Sequence, residues 1–277
     1  MLQRVEASPI NPSDLGGFLA GMDKASAVDG TDERGNPLVR GGIPAAAFAR
    51  GMAARVDMAL PIGNEGAGVV VAVGHGSGES AHDLMGKTVA ILGGAMYSQY
   101  RVVKADMALP LLPGTSARDG ASAFVNPLTV LGMIETMKDE GHTAIVHTAA
   151  ASQLGQMLVR ACAQEEIPLV NIVRRPEQAQ LLRELGAEFI VDSSSDEFTS
   201  ELVGACEDTG ATLGFDATGG GMLASQMLSA MEMAATRRES SSISPGNRYG
   251  SSVFKQVYIY GGLELAETRL DRSYGMR

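Results

Sequence analysis

The apolar positions along the chain fall into two regimes. Up to about residue 110 they form short alternating or continuous runs, at 2–7, 69–73, 87–92 and 97–103. Runs of this length, rich in β-branched residues and bounded by turn signals, predict strands. No helix-period stripe separates the last three, so this part reads as an antiparallel β unit. Asn11-Pro12-Ser13-Asp14 is a turn cluster, and the glycine-dense Pro61-Ile-Gly-Asn-Glu-Gly-Ala-Gly68 leads into the strand at 69–73. Residues 21–60 are irregular at first. From Pro44 onward Phe48, Met52 and Val56 stand four apart, which predicts an inserted helix with proline at its first position.

After Leu112-Pro113-Gly114 the pattern changes. Residues 119–137 read as helical, with Asn126-Pro127 breaking or kinking the run. Five apolar, β-branched runs follow at 144–146, 168–173, 188–192, 212–217 and 257–262. Helical patterns separate them. One starts near Pro176, carries Leu181, Leu182 and Leu185, and stops at Gly186; others centre on Leu202 and Met231. The polar stretch 239–249 reads as a loop. Strands alternating with crossover helices predict a doubly wound parallel sheet. The expected fold class is therefore α/β, a β domain at 1–112 followed by a Rossmann-type domain at 113–277.

Residues 143–156 are the stretch around which this second part is organised. A short buried strand runs into a turn of small residues, Ala149, Ala150, Ala151 and Ser152. A helix then opens at Leu154 and Gly155, with Met157, Leu158, Ala161 and Cys162 continuing its apolar stripe. A tight small-residue turn at a helix N-terminus lets an anion reach free backbone N–H groups and the positive end of the helix dipole. The usual glycine triplet is absent, and a plain βα turn is the competing reading.

Charge and cysteine content narrow the function classes. A net charge of −10 argues against nucleic acid or an anionic membrane as the main partner. No apolar run approaches a membrane span, and residues 1–6 do not form a signal peptide. Cys162 and Cys206 are the only cysteines, without metal spacing, which fits a reducing, cytoplasmic location. None of the four histidines pairs with another ligand type at metal spacing.

Several segments, in order, resemble the medium-chain dehydrogenase/reductase superfamily: Ala7-Ser-Pro-Ile-Asn-Pro-Ser-Asp14, Gly63-Asn-Glu-Gly-Ala-Gly68, Val125-Asn-Pro-Leu-Thr129, the turn ending at Gly155, and Leu185-Gly-Ala187. Within it the similarity is to the zinc-free quinone-oxidoreductase and enoyl-thioester-reductase branch. The resemblance implies a GroES-like β domain, a nucleotide-binding Rossmann domain and a small-molecule substrate. Asn11 stands where zinc alcohol dehydrogenases have a cysteine ligand, and Asn64 where they have a histidine. An amide is a poor zinc ligand, so no metal is expected. Ser13 falls at the place of those enzymes' hydroxyl relay. With Tyr97, these residues are the candidate donors for catalysis: Asn11, Ser13, Asn64 and Tyr97. The tyrosine that enoyl-thioester reductases carry after the Asn-Pro-Ser-Asp turn has no counterpart between Asp14 and Pro61.

For the cofactor, the resemblance places Thr129, with Asn126 beside it, near a nicotinamide. Thr218, Gly219, Tyr260 and Gly261 fall at the C-terminal ends of the fourth and fifth strands, the edge where open α/β sheets bind ligands. The second strand runs into Arg174-Arg175 with no acid until Glu177, which predicts NADPH over NADH. Asn171 competes for that position if an insertion shifts the alignment. His147, inside the first strand, reads as a hydrogen-bonded core residue. Family members carry further segments at both ends, so the chain is expected to be truncated, and full-length relatives to be homodimers. The leading expectation is a zinc-independent NADPH oxidoreductase acting on a quinone, enone or enoyl thioester. The alternative is a degenerate nucleotide-binding module of the same fold. A Rossmann methyltransferase is disfavoured by the arginine pair, since that fold wants an acid after the second strand.

Overall fold

The computed structural model describes the chain apart from residues 20, 50–52, 241–249, 272–273 and 275–277. It divides into two compact units, Met1–Val125 and Asn126–Arg277.

In the first unit the elements are β1 (Leu2–Ala7), α1 (Pro12–Leu19), β2 (Val28–Thr31), β3 (Pro37–Arg40), α2 (Ala45–Ala47), β4 (Glu65–Ala72), α3 (Glu79–His82), β5 (Thr88–Leu92), β6 (Tyr100–Val102), β7 (Ala108–Pro110) and α4 (Ala117–Gly120). Five strands form one antiparallel sheet in the order β6-β1-β4-β5-β7. Its core gathers Val70, Leu84, Val89, Ile91 and Met96. The small residues Ala67 and Ala90 let Ala117 and Ala121 pack close, with Leu111 and Phe124 beside them. That packing keeps the segment after residue 112 with the first unit, so the division falls at Val125.

Two expectations for this unit need correction. Among the described residues, the segment predicted as a helix from Pro44 holds α2, helical backbone at 48–49 and a 3-10 turn at Ala53–Arg55, and it buries no apolar face. Met52 lies outside the described residues. Phe48 and Val56 are exposed, so the four-residue spacing found no surface to bury against. The irregular stretch before it instead holds a β2–β3 hairpin. Tyr97 precedes the fourth of the predicted strands, which begins only at Tyr100.

In the second unit α5 (Val125–Asp139) precedes β8 (Ile145–His147), α6 (Gln153–Gln164), β9 (Leu169–Val173), α7 (Pro176–Glu184), β10 (Phe189–Asp192), α8 (Phe198–Thr209), β11 (Leu213–Asp216), α9 (Leu223–Ser240) and β12 (Gln256–Ile259). The helical run predicted across 119–137 is broken before Val125. Pro127 sits in the first turn of α5, where a missing N–H costs nothing. Glu239 and Ser240, expected in a loop, continue α9, and residues 241–249 lie outside the described residues.

The five strands pair in parallel throughout, in the order β10-β9-β8-β11-β12. Alternation along each strand feeds two cores. Ile145, Leu169, Leu213 and Phe215 face α5, α6 and α7, whereas Val146, Val170 and Ile172 face α8 and α9. Each crossover helix returns the chain to the same end of the sheet, so all five C-terminal strand ends share one edge. Counted from β8, the spatial order is 3-2-1-4-5, and connections leave in opposite directions from β8. This is a topological switch point, where open α/β sheets take their ligands.

Candidate functional site

At the switch point β8 ends on His147 and turns through Thr148 and Ala149 into α6. Ala149 adopts φ 50°, a left-handed conformation uncommon without glycine. Ser152 is the N-cap, and its Oγ accepts from Gly155 N at 3.1 Å. The carbonyl of Ser152 accepts from Gln156 N. This leaves the N–H groups of Gln153 and Leu154 without intrahelical acceptors. Ser152 and Gln153 are exposed. A Cβ on Gly155 would stand 2.1 Å from the Ala150 carbonyl oxygen, so glycine is required for the helix to pack onto its own turn. Leu154 is half-buried against the core of the α6 face.

The neighbouring strand end is fastened to this turn. Asp216, the last residue of β11, is buried and accepts from Thr148 Oγ1 at 2.8 Å, Thr218 N at 2.8 Å and Gly219 N at 3.1 Å. Thr148 Oγ1 in turn accepts from Ala217 N at 2.8 Å. Full satisfaction of the carboxylate explains how an ionisable side chain sits there. Gly219 has φ 80°, and a Cβ on it would meet the Gly261 carbonyl oxygen at 2.4 Å. Beyond it the chain after β12 is latched across this end, with Leu263 N and Glu264 N bonded to the carbonyls of Ala217 and Thr218. Tyr260 follows the last residue of β12, and its hydroxyl lies 2.8 Å from His147 Nε2. Burial pulls the imidazole down to about 4, so it is neutral, and its Nδ1 has no partner among the described residues.

Of the proposed nucleotide contacts, Ala149, Ser152, Leu154, Gly155, Thr218, Gly219, Tyr260 and Gly261 all fall at the C-terminal ends of β8, β11 and β12. Arg174 and Arg175 follow β9 at the same edge. Both are exposed, and among the described residues neither forms an ion pair. Asn171 is buried in mid-strand, its Nδ2 bonded to the carbonyls of Leu169 and Phe189, so it is not the residue at the strand end. Asn126 and Thr129 occupy the first two turns of α5, both half-buried.

The four candidate donors of the first unit lie around one carboxylate network. Asn11 Nδ2 donates to buried Glu65 Oε1 at 3.2 Å, and the other Glu65 oxygen accepts from the N–H groups of Phe124 and Val125. Asp14 accepts from Asn11 N and Asn64 N, and Asn64 Nδ2 donates to Ser13 Oγ at 2.7 Å. The Tyr97 hydroxyl donates to the Pro9 carbonyl at 3.0 Å. Burial and the nearby Asp14 carboxylate push that phenol above its usual range. Among the described residues no three His, Cys, Asp or Glu side chains gather as a metal site. No helix of the described chain is long and apolar enough to cross a membrane. Sequence reading missed Asp14, Glu65, Thr148 and Asp216 as members of these clusters. The Asp-Ala-Thr-Gly run that begins at the last residue of β11 was the one available signal.

No family model matches the chain. It is 31% identical over 132 residues to acrylyl-CoA reductase of Ruegeria pomeroyi, covering 46% of this chain and 39% of that protein. To a quinone oxidoreductase of Pseudomonas aeruginosa it is 26% identical over 161 residues, covering 57% of this chain and 49% of the relative. The crystal structure of a candidate NADPH:quinone reductase from Mesorhizobium loti superposes with a TM-score of 0.66 and 28% identity, covering 97% of this chain and 64% of that one. The chain thus spans less than two thirds of the length of each. The switch-point sheet and these relatives make the chain similar, in sequence and in fold, to quinone oxidoreductases and enoyl reductases of the medium-chain dehydrogenase/reductase superfamily.

Proposed function

We propose that the chain belongs to a zinc-independent, NADPH-dependent oxidoreductase that transfers hydride to a quinone, an enone or an enoyl thioester. The observation that carries this reading is the switch point itself. A capped helix N-terminus with two open N–H groups lies at the sheet edge, and two arginines that form no ion pair among the described residues stand at the end of β9. This donor set fits a dinucleotide with a 2′-phosphate. The N–H groups of Gln153 and Leu154 would hold the pyrophosphate, and Arg174 and Arg175 the 2′-phosphate. NADPH, when bound, supplies the hydride.

The chain's own groups then bind, orient and donate. The second amide N–H groups of Asn11 and Asn64 are the proposed hydrogen-bond donors toward a substrate carbonyl, where they would stabilise developing negative charge. Tyr97, protonated at neutral pH, would join them on exchanging the Pro9 carbonyl for the substrate. Ser13, bonded to Asn64, is the proposed link for a proton. Asn11 and Asn64 each use one amide N–H on Glu65 and Ser13 and keep the second for a substrate. An amide is also a poor zinc ligand, which supports a zinc-free chemistry at the places where zinc relatives put ligands. Two free, buried thiols support a reducing, cytoplasmic setting. Full-length relatives as homodimers, with no nucleic acid or membrane partner, complete this reading.

The test is NADPH consumption against a panel of quinones, enones and enoyl thioesters, with elemental analysis of the same protein. Turnover of one class without stoichiometric zinc is expected. Zinc lost together with activity on chelation would overturn the metal-free part. NADPH binding without turnover of any class would leave the second reading, a nucleotide-binding module.

A further inference from the structure

His147 and Tyr260 form a pair to which hydride transfer, as described above, assigns no task. They come from β8 and the end of β12, with β11 between them. Their rings stack with centroids 6.0 Å apart and planes 16° off parallel, and the phenol oxygen lies 2.8 Å from Nε2. His147 is fully buried, whereas Tyr260 keeps 39% of its surface exposed. The tyrosine backbone is fixed as well: Tyr260 N donates to the Asp216 carbonyl at 3.0 Å. A Cβ on the next residue, Gly261, would lie 2.3 Å from the Ala217 carbonyl oxygen.

A neutral imidazole carries one N–H. On Nδ1 it would be a buried donor without an acceptor, the rarest kind of unsatisfied group; on Nε2 it leaves only an unused acceptor. The second tautomer is the cheaper one. Nε2–H then donates to the tyrosine oxygen, and the phenol's own proton remains to be given outward. Burial and the Asp216 carboxylate raise the phenol well above its ordinary range, so that proton stays in place.

A dinucleotide at a switch point lies across the strand ends, its pyrophosphate at the first βα turn and its two halves on either side. The arginines after β9 mark the adenosine half, which leaves the nicotinamide half over β11 and β12, where Tyr260 stands. We propose that the Tyr260 hydroxyl, its oxygen held by His147, donates a hydrogen bond to the carboxamide oxygen of the nicotinamide and fixes the rotation of that ring. Tyr260 is thus a cofactor-orienting residue and His147 the residue that positions it. This inference rests on the NADPH reading above.

The experiment compares the unmodified protein with Tyr260→Phe, which keeps the stacked ring and removes the hydroxyl. Three probes are titrated by calorimetry: NADPH, its thionicotinamide analogue, in which sulfur replaces the carboxamide oxygen, and 2′,5′-ADP, which has no nicotinamide. The unmodified protein should prefer NADPH to the thio analogue. Tyr260→Phe should weaken NADPH by roughly two- to tenfold, the worth of one net hydrogen bond. It should erase the preference over the thio analogue and leave 2′,5′-ADP unchanged. Equal loss for NADPH and 2′,5′-ADP would make Tyr260 a purely structural residue and overturn the proposal. Unchanged NADPH affinity in the variant would do the same, as would an unmodified protein that does not discriminate against the thio analogue. An unmodified protein that binds none of the three would instead defeat the NADPH reading itself.

Discussion

Replacing Arg174 and Arg175 together by alanine should weaken NADPH binding at least tenfold and leave NADH binding almost unchanged. The backbone that presents them is rigid. Val173 O, at the end of β9, accepts from both Ser193 N and Ser193 Oγ. Arg174 N bonds Gln178 Oε1 at 3.0 Å. Arg175 is the N-cap of α7 with Pro176 at the first helical position, and its side chain makes no capping bond. The substitutions therefore remove charge without removing a cap, and α7 should keep its stability. A charge-assisted hydrogen bond is worth about 1.5–3 kcal/mol when sheltered. Both side chains are exposed, and solvent screening reduces each to about 1 kcal/mol. Two such contacts give roughly ten- to thirtyfold in affinity. Because the effect is screened, it should shrink as salt is raised from low to about 0.5 M, where the Debye length falls to a few ångströms. Calorimetric titration of both cofactors against both proteins, at two salt concentrations, measures it. Equal weakening of NADPH and NADH, or tighter NADH binding by the unmodified protein, would mean that the two arginines are only a solvated loop.

Two further outcomes follow from the switch point. Gly155→Ala forces a methyl group to within 2.1 Å of the Ala150 carbonyl oxygen, so the turn or the helix must shift. The expected cost is about 1–3 kcal/mol, seen as a lower melting temperature by circular dichroism; an unchanged melt would show that the turn gives way freely. His147 titrates near 4 when folded against an ordinary 6.5, so the unfolded chain binds the extra proton in that window. Its contribution is complete above pH 6.5 and is lost as the pH falls toward 4, by roughly 3 kcal/mol in all. Urea unfolding across this range should show a steeper acid loss for the unmodified protein than for His147→Gln, and parallel curves would refute it.

What the sequence determined by itself was the part of the fold that repeats locally. The five β-branched runs separated by helical stripes gave the parallel sheet, because strands apolar on both faces need a helix layer on each side, and the intervening crossover helices supply both. Pro176 and Gly186 marked the limits of α7 through backbone geometry that no partner has to supply. The small-residue turn before α6 was legible for the same reason. The stripe of Phe48 and Val56 did not mark a buried face, because spacing along the chain supplies no surface to cover it, and both side chains remain exposed.

Tertiary structure decided the pairings. Asn11 meets Glu65 across 54 positions, Thr148 meets Asp216 across 68, and His147 meets Tyr260 across 113. None of these residues carries a local signal of its partner, since a hydrogen bond is fixed by distance and direction in space and not by spacing along the chain. The strand order decided the rest. Only when β11 is placed beside β8 do Asp216 and Thr148 share a strand end, and only the parallel addition of β12 brings a tyrosine over a histidine that sequence alone reads as part of the core.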